Sequence, residues 1–187
     1  CGYCKVKVLE GGGQVLVTEL PWLTQEEIKN HVRLSCQCKV KEDIKIQIPD
    51  ELFNVREYES TVELIEDMTP EIKKLRLRLK EGEELNFKPG QYIQLKVPTY
   101  EGNDEEVYRA YSIASSPSEK NYIDLYIGYA GGIATTYVHK FLKEGDKVYI
   151  NGPYGEFYYH DNPDREMVLV AVATGIAPIL SILRYMK

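Results

Sequence analysis

Apolar and polar positions alternate with a period of two near the start of the chain. The runs "KVKVLE" and "QVLVTEL" flank Gly11, Gly12 and Gly13, a pattern that predicts two antiparallel strands about a glycine turn. "LTQEEIKNH" then carries a helix start. Thr24 stands at the cap position, Glu27 three residues on completes a capping box, and Leu23 with Ile28 has the spacing of a hydrophobic staple. "KEDIKIQIPD" alternates again as a strand closed by Pro49. Together these elements describe a small β-grasp-like α+β unit over residues 1–50, with Trp22 expected in its core or as a lid over the loop.

Residues 51–57, "ELFNVRE", read as a connector. Over 58–160 the pattern becomes six β-runs: "STVELIEDM", "KKLRLRL", "GQYIQLKVP", "RAYSIAS", "YIDLYIGYA" and "DKVYINGP", interrupted by one helical stretch, "TTYVHKFLKEG". Six strands at this spacing predict an antiparallel barrel or sandwich. From 164 to 187 the pattern changes again. "REMVLVAVATGIAPILSILRYMK" predicts a strand buried on both faces, a glycine turn and a helix with proline in its first turn, the opening of a parallel α/β unit. One βα element cannot form a sheet alone, so the chain is expected to be a piece of a longer protein, cut at both ends. The fold class expected is α+β multidomain: a partial β-grasp, an antiparallel β-barrel, and the first βα unit of a parallel α/β domain.

Composition changes this picture little. Hydrophobic residues make up 43% and charged residues 28%, ordinary for a globular protein. No apolar run approaches the roughly 20 residues that cross a bilayer. A net charge of −6 without a basic stripe argues against nucleic acid as a partner. His31, His139 and His160 show no ligand spacing.

The cysteines change it more. Cys1, Cys4, Cys36 and Cys38 all fall in the first 38 positions, which favours a local metal or redox site in a reducing compartment over a disulfide scaffold, and hence a cytoplasmic location. Three chemistries stay open on spacing alone. Four thiolates suit structural zinc. Cys1 and Cys4 suit a dithiol pair, although a β-strand is a poor setting for one. A [2Fe–2S] cluster of plant-type spacing is the third.

A second constellation lies downstream, in "RAYSIASSP" from Arg109, "GGIATTYVHKFL" from Gly131 and "GDKVYINGPYGEF" from Gly145. Arg109 offers a permanently charged planar fork suited to a pyrophosphate. Tyr111 can present an aromatic face and Ser112 a hydrogen bond. Gly131 and Gly132 permit close backbone approach, with Thr135 and Thr136 expected to cap a helix start where anions are favoured.

In this order and spacing the three segments resemble the FAD-binding barrel of the ferredoxin–NADP reductase superfamily over about 58–160. The resemblance implies FAD with its pyrophosphate on Arg109 and the 131–136 turn, and its ring against Tyr111 and Ser112. It also implies Ile127 and Tyr129 on a strand passing the flavin, with Ala110, Gly131, Gly132, Ile133, Thr135 and Thr136 completing the set. "ATGIAP" resembles the turn opening the NAD(P) domain of that superfamily. Thr174, Gly175 and Pro178 match it, while Val172 and Ala173 stand where the family has glycines.

"CGYCKVKVLEGGGQVLVTEL" with "VRLSCQCKV" resembles the ferredoxin domain of flavin-dependent iron–sulfur reductases, especially that of the sodium-translocating NADH:quinone oxidoreductases. This implies Cys1, Cys4 and Cys36 as the second, third and fourth ligands of a [2Fe–2S] cluster, with the first ligand upstream and absent. Cys38 has no matching role and is expected to be a buried thiol. The implied function is electron transfer from NAD(P)H through FAD to the cluster, and on to a quinone or a protein acceptor. A membrane complex would be reached through a missing N-terminal region, at the cytoplasmic face, and the fragment alone is expected to be inactive. No acid–base side chain is required. The acidic loop "TYEGNDEEVY" is short where the sodium-translocating family carries a long insertion, which keeps a second reading open, the reductase component of a multicomponent oxygenase. A reading of another class is a non-catalytic zinc-binding interaction module.

Overall fold

The computed structural model describes residues 4–48, 55–161 and 166–187, which fall in two compact units, Cys1–Phe53 and Asn54–Lys187. In the first, β1 (Lys5–Glu10) lies between β2 (Val32–Leu34) and β3 (Lys45–Gln47), antiparallel to both. Helix α1 (Gln25–Lys29) starts as its sequence predicts. The Thr24 hydroxyl accepts from the Glu27 amide at 3.1 Å, and the Glu27 carboxylate accepts from the Thr24 amide at 2.7 Å. Lys5 Nζ, 2.7 Å from Glu27 Oε1, ties that helix to β1. Val8, Leu23 and Leu34 form the small apolar centre.

Two expectations fail here. "QVLVTEL" alternates but forms no strand. Its residues run as loop into a 3-10 turn, Leu20–Trp22, and Val17 is 82% exposed. Both edges of β1 are already paired, by β2 and β3, so the segment cannot join β1 as the second strand of a hairpin. Trp22 is half exposed, which excludes the core position among the two expected for it. The polar position between them, Glu19, is the fully buried one.

The second unit contains β4 (Arg56–Thr69), β5 (Ile72–Leu79), β6 (Tyr92–Val97), β7 (Val107–Ser112), β8 (Tyr122–Gly128) and β9 (Lys147–Tyr154). These are the six expected runs. Every neighbouring pair is antiparallel, in the order β7-β6-β9-β4-β5-β8. The two outer strands meet where Ile113 bridges Leu125 and the Ala114 amide donates to Asp124 O at 2.8 Å, which curls the sheet toward a barrel. Alternation sends Leu75 and Leu77, Ile93 and Leu95, and Leu125 and Ile127 into a core with no exposed surface. Strand β4 begins at Arg56, inside the expected 51–57 connector; residues 51–54 of that connector lie outside the described residues.

Helix α2 (Ile133–Thr136) runs into a π turn, Tyr137–Phe141, starting two residues before the predicted stretch. The expected strand "REMVLVAV" is the larger departure. Residues 166–172 have no regular structure, and Val168, Val170 and Val172 are 80–86% exposed. A strand apolar on both faces needs hydrogen-bonded neighbours and covering helices, and no described residue pairs with it. The helix that follows, α3 (Ile176–Met186), forms as predicted with Pro178 in its first turn and buries Ala177, Ile179, Ser181 and Ile182.

Candidate cofactor-binding site

Strand β7 holds Arg109, Ala110, Tyr111 and Ser112 at the sheet edge, with Arg109 opposite Leu95 and Tyr111 opposite Ile93 on β6. Arg109 is exposed, and its one described side-chain bond runs from Nη1 to its neighbour's carbonyl, Tyr108 O, at 2.9 Å. The rest of the guanidinium fork is free to meet an anion. Ala110 is exposed beside it; Tyr111 and Ser112 are half-buried. Burial pushes the Tyr111 phenol above its ordinary value, partly opposed by the charge of Arg109.

The Gly131–Gly132 turn is brought to the same side, because α2 packs beside β7. Gly131 has φ +70°, the left-handed region that glycine enters without steric cost, and open space lies where a Cβ would point. Thr135 and Thr136 do not cap the helix. Gly132 occupies the cap position without a side-chain bond, and the threonines sit within the first turn. The Thr135 hydroxyl accepts from the Ala130 amide at 3.3 Å and donates to Gly132 O at 3.1 Å, so it rigidifies the turn. Tyr100, from the short acidic loop, donates its hydroxyl to Ile133 O at 2.9 Å.

The end of β8 and the 3-10 turn Ala173–Gly175 form the other flank. A Cβ built on Gly128 would stand 3.4 Å from Thr174 Cγ2, so the threonine methyl packs in ordinary contact beside the Gly128 backbone. Gly175 is exposed at the start of α3, and Pro178 is half-buried in its first turn. Ala173 keeps a left-handed φ of +49° although it is not glycine, a conformation costing about 1–2 kcal/mol for a residue with a Cβ. Tyr129 is exposed, its ring 5.3 Å from that of His139. Ile127 is a correction: its side chain is fully buried in the barrel core and its carbonyl is bonded to His139 Nε2 at 2.9 Å, so neither group faces a ligand. The alternation that buries Leu125 and Ile127 turns Tyr126 and Gly128 outward, and that signal was available in the sequence. His139 is satisfied by that bond.

In the first unit, the β1–β2 register places Lys5 opposite Leu34, and the Ser35 amide donates to Cys4 O at 2.8 Å. This brings the Cys4 and Cys36 sulfurs to 3.1 Å. The Cys36 amide, then its thiol, hold Cys4 below the ordinary thiol value, while sharing that bond raises Cys36. Cys38 is half-buried, 3.8 Å from Gly12 O, which it meets as a weak donor. Cys1 lies outside the described residues. Among the described residues no group of three or more metal-ligating side chains converges.

The chain is similar to known proteins over most of its length. The family described as oxidoreductase FAD-binding domain matches residues 59–159. The F subunit of the Na(+)-translocating NADH-quinone reductase of Idiomarina loihiensis is 38% identical over 217 residues, covering 97% of this chain and 53% of that protein. The chain thus spans about half the length of the curated relatives it matches. The cytochrome P450 reductase GcoB of Amycolatopsis superposes with a TM-score of 0.71 at 29% identity, covering 98% of this chain and 56% of that one. Phthalate dioxygenase reductase, described as a modular structure for electron transfer from pyridine nucleotides to [2Fe–2S], gives 0.59 at 25% identity, covering 70% and 39%.

Proposed function

The chain belongs to the oxidoreductase FAD-binding domain family, and from that premise we propose that it is the flavin-holding part of an NAD(P)H-dependent electron-transfer reductase. The observation that carries this reading is the packing of the helix start at Gly131–Gly132 beside the Arg109–Ser112 strand, with the Thr174 turn against the end of β8. Arg109 binds the pyrophosphate with its free donors, while the Gly131–Gly132 turn lets the phosphates approach its backbone. Tyr111 and Ser112 bind and orient the ring, and Tyr111, already half-buried, excludes water from one face of it. Ala110, Ile133 and Thr136 line the same strand and turn, and Thr135 stiffens that turn. Thr174, Gly175 and Pro178 shape the edge where a nicotinamide would arrive, and Tyr129 flanks it. Bound FAD would supply acceptance of an electron pair and its release as single electrons.

The single-electron outlet we assign to a [2Fe–2S] cluster held by Cys1, Cys4 and Cys36 with a further ligand. Cys4 and Cys36 fit such a centre, because two adjacent thiols, one with a lowered pKa, are the donors iron–sulfur chemistry needs. A zinc-binding interaction module gives no account of the FAD family match.

For the acceptor we favour a quinone-reducing complex at the cytoplasmic face of a membrane, on the 38% identity to the Idiomarina reductase. Among the described residues no helix is long and apolar enough to cross a membrane. The match to that relative extends over 217 positions against the chain's own 187, so the relative carries additional residues within the aligned stretch. That difference and the likeness to GcoB support the second reading, a reductase serving an oxygenase. Titrating the chain with FAD, followed by flavin fluorescence, should show one equivalent bound, weakened by Arg109→Ala. A chain that binds no FAD overturns the reading. Reduction of a quinone analogue against an oxygenase component, by the longer form carrying the whole nucleotide domain, decides between acceptors.

A further inference from the structure

Helix α3 does more than continue the chain beyond the barrel. The segment Ile113–Ser115 follows directly on Tyr111 and Ser112, and it closes the sheet against β8. There Ala114 N donates to Asp124 O at 2.8 Å, and Asp124 N donates to the Ser115 hydroxyl at 3.2 Å. The carbonyls of Ala114 and Ser115 receive their donors from α3. Arg184 Nη1 donates to Ala114 O at 2.7 Å, and the Ser181 hydroxyl donates to Ser115 O at 2.8 Å. Ala114, Ser115 and Ser181 are all essentially without solvent exposure, so in the folded chain these two carbonyls depend on α3 for their donors.

Asp124 anchors the same knot from beneath. Its carboxylate is 3% exposed, accepts Arg76 Nε at 2.7 Å and Nη2 at 2.9 Å, and stands 3.7 Å from Arg184 Nη1. The two guanidinium groups thus share one buried carboxylate. Arg184 bridges it to the backbone that continues from the flavin-facing strand. At its other end α3 begins with the turn that sets Thr174 against Gly128. The helix and the turn that leads into it therefore meet β8 at Asp124 and at Gly128.

We infer that Ser181 and Arg184 are positioning residues of the flavin site: by holding the Ala114 and Ser115 carbonyls they fix where Tyr111 and Ser112 stand. The inference rests on the flavin reading above and extends it to a helix which that reading assigns to nucleotide binding. It predicts that FAD affinity depends on residues 181 and 184, neither of which lies on the flavin-facing strand or turn.

The test uses the whole 187-residue chain with Arg184→Ala, Arg184→Lys and Ser181→Ala. In the FAD-free chain, amide hydrogen exchange at Ser112–Ser116 should rise about tenfold in Arg184→Ala, the scale of one lost charged hydrogen bond, while the β4 and β5 amides keep the parent rates. FAD affinity should fall by a similar factor, with a changed visible circular dichroism of the bound flavin. Arg184→Lys should restore part of both, because an ammonium can still reach Ala114 O but lacks the second arm. Parent-like exchange and parent-like flavin dichroism in Arg184→Ala overturn the inference. If that variant does not fold, parent-like exchange and parent-like flavin dichroism in Ser181→Ala overturn it. A parent chain that binds no FAD overturns it through the reading beneath it, and that result is recognised by the absence of binding in every variant alike.

Discussion

Arg33 and Glu19 form an ion pair that is almost wholly out of water: Nη2 lies 2.7 Å from Oε2, Nε lies 3.0 Å from both carboxylate oxygens, and the side chains are 4% and 0% exposed. The amides of Leu16 and Leu34 also donate to the carboxylate, at 2.7 and 2.8 Å, and Arg33 Nη1 donates to Gly12 O. The pair thus fastens the glycine loop and the 3-10 turn to β2, two residues before Ser35 and three before Cys36. Such a pair is weak evidence of net stability, but breaking it by removing one partner leaves a bare buried charge.

Arg33→Met should therefore destabilise the first unit by about 3–5 kcal/mol, and the double change Arg33→Met with Glu19→Met by much less. Trp22 is the only tryptophan of the chain and belongs to this unit, so its fluorescence in a denaturant titration reads the difference. The pH dependence has a definite sign. Burial alone would raise the Glu19 carboxyl, but Arg33 and the two amides hold it below its ordinary value. A carboxyl lowered by folding stabilises fully above its unfolded value of about 4.3 and loses that contribution as pH falls through the lower folded value. The midpoint of the first unit should drop below that pH, and Glu19→Gln should flatten the drop.

Ile127 separates packing from binding. Truncating a fully buried isoleucine to alanine should cost about 2–5 kcal/mol by lost burial and a residual cavity. Its side chain points into the barrel, so Ile127→Ala should retain FAD affinity in the folded fraction while its denaturation midpoint falls. Loss of affinity without loss of stability would place Ile127 in the flavin site after all.

The barrel was legible because strands such as β5 and β6 have one wet and one dry face, and period-2 alternation reports that directly; β7 buries no residue and was read from its motif. Where alternation misled, the missing information was about partners. "QVLVTEL" has the pattern of a strand but no free edge on β1, and "VLVAV" has the composition of a buried strand with no described neighbour. Capping chemistry is local, so Thr24 and Glu27 could be read from their spacing alone. Glu19 and Asp124 could not. Each is a polar residue within an apolar run, buried because an arginine 14 or 48 positions away folds onto it. The Arg109 strand and the Gly131 turn were recognisable as motifs. Their meeting depends on α2 packing beside β7, which no spacing in the sequence expresses.

Tyr100 tests that meeting. Its hydroxyl holds Ile133 O, and its ring lies 4.7 Å from Phe141 and 5.7 Å from Tyr137. Tyr100→Phe keeps the rings and removes the bond, so stability should fall by only about 0.5–1.5 kcal/mol. The turn that follows Gly131 loses its tether to the loop, and FAD should bind more weakly than that stability change suggests. Equal FAD affinity in parent and variant, measured by fluorescence titration, would show that the turn is set without Tyr100.

The thiols give the last prediction, on the iron–sulfur reading. Cys4 and Cys36 stand 3.1 Å apart because β1 and β2 pair in one register, and Cys38 points instead to Gly12 O. In the longer form, reconstituted anaerobically with iron and sulfide, Cys4→Ser and Cys36→Ser should each abolish the visible iron–sulfur absorption, while Cys38→Ser should retain it. FAD binding should survive all three changes, since the flavin residues belong to the other unit. In the metal-free chain the lowered pKa of Cys4 gives an independent measure. Alkylation by iodoacetamide should begin at Cys4 as pH rises and reach Cys36 only at higher pH, because the thiolate is the nucleophile. Serine at position 36 removes the neighbouring thiol but keeps the backbone amide that lowers Cys4 most. The alkylation profile of Cys4 should therefore shift only part of the way back toward an ordinary thiol. Mass spectrometry of the alkylated peptides reads each site separately, and equal rates at Cys4 and Cys36 at every pH would contradict the asymmetry.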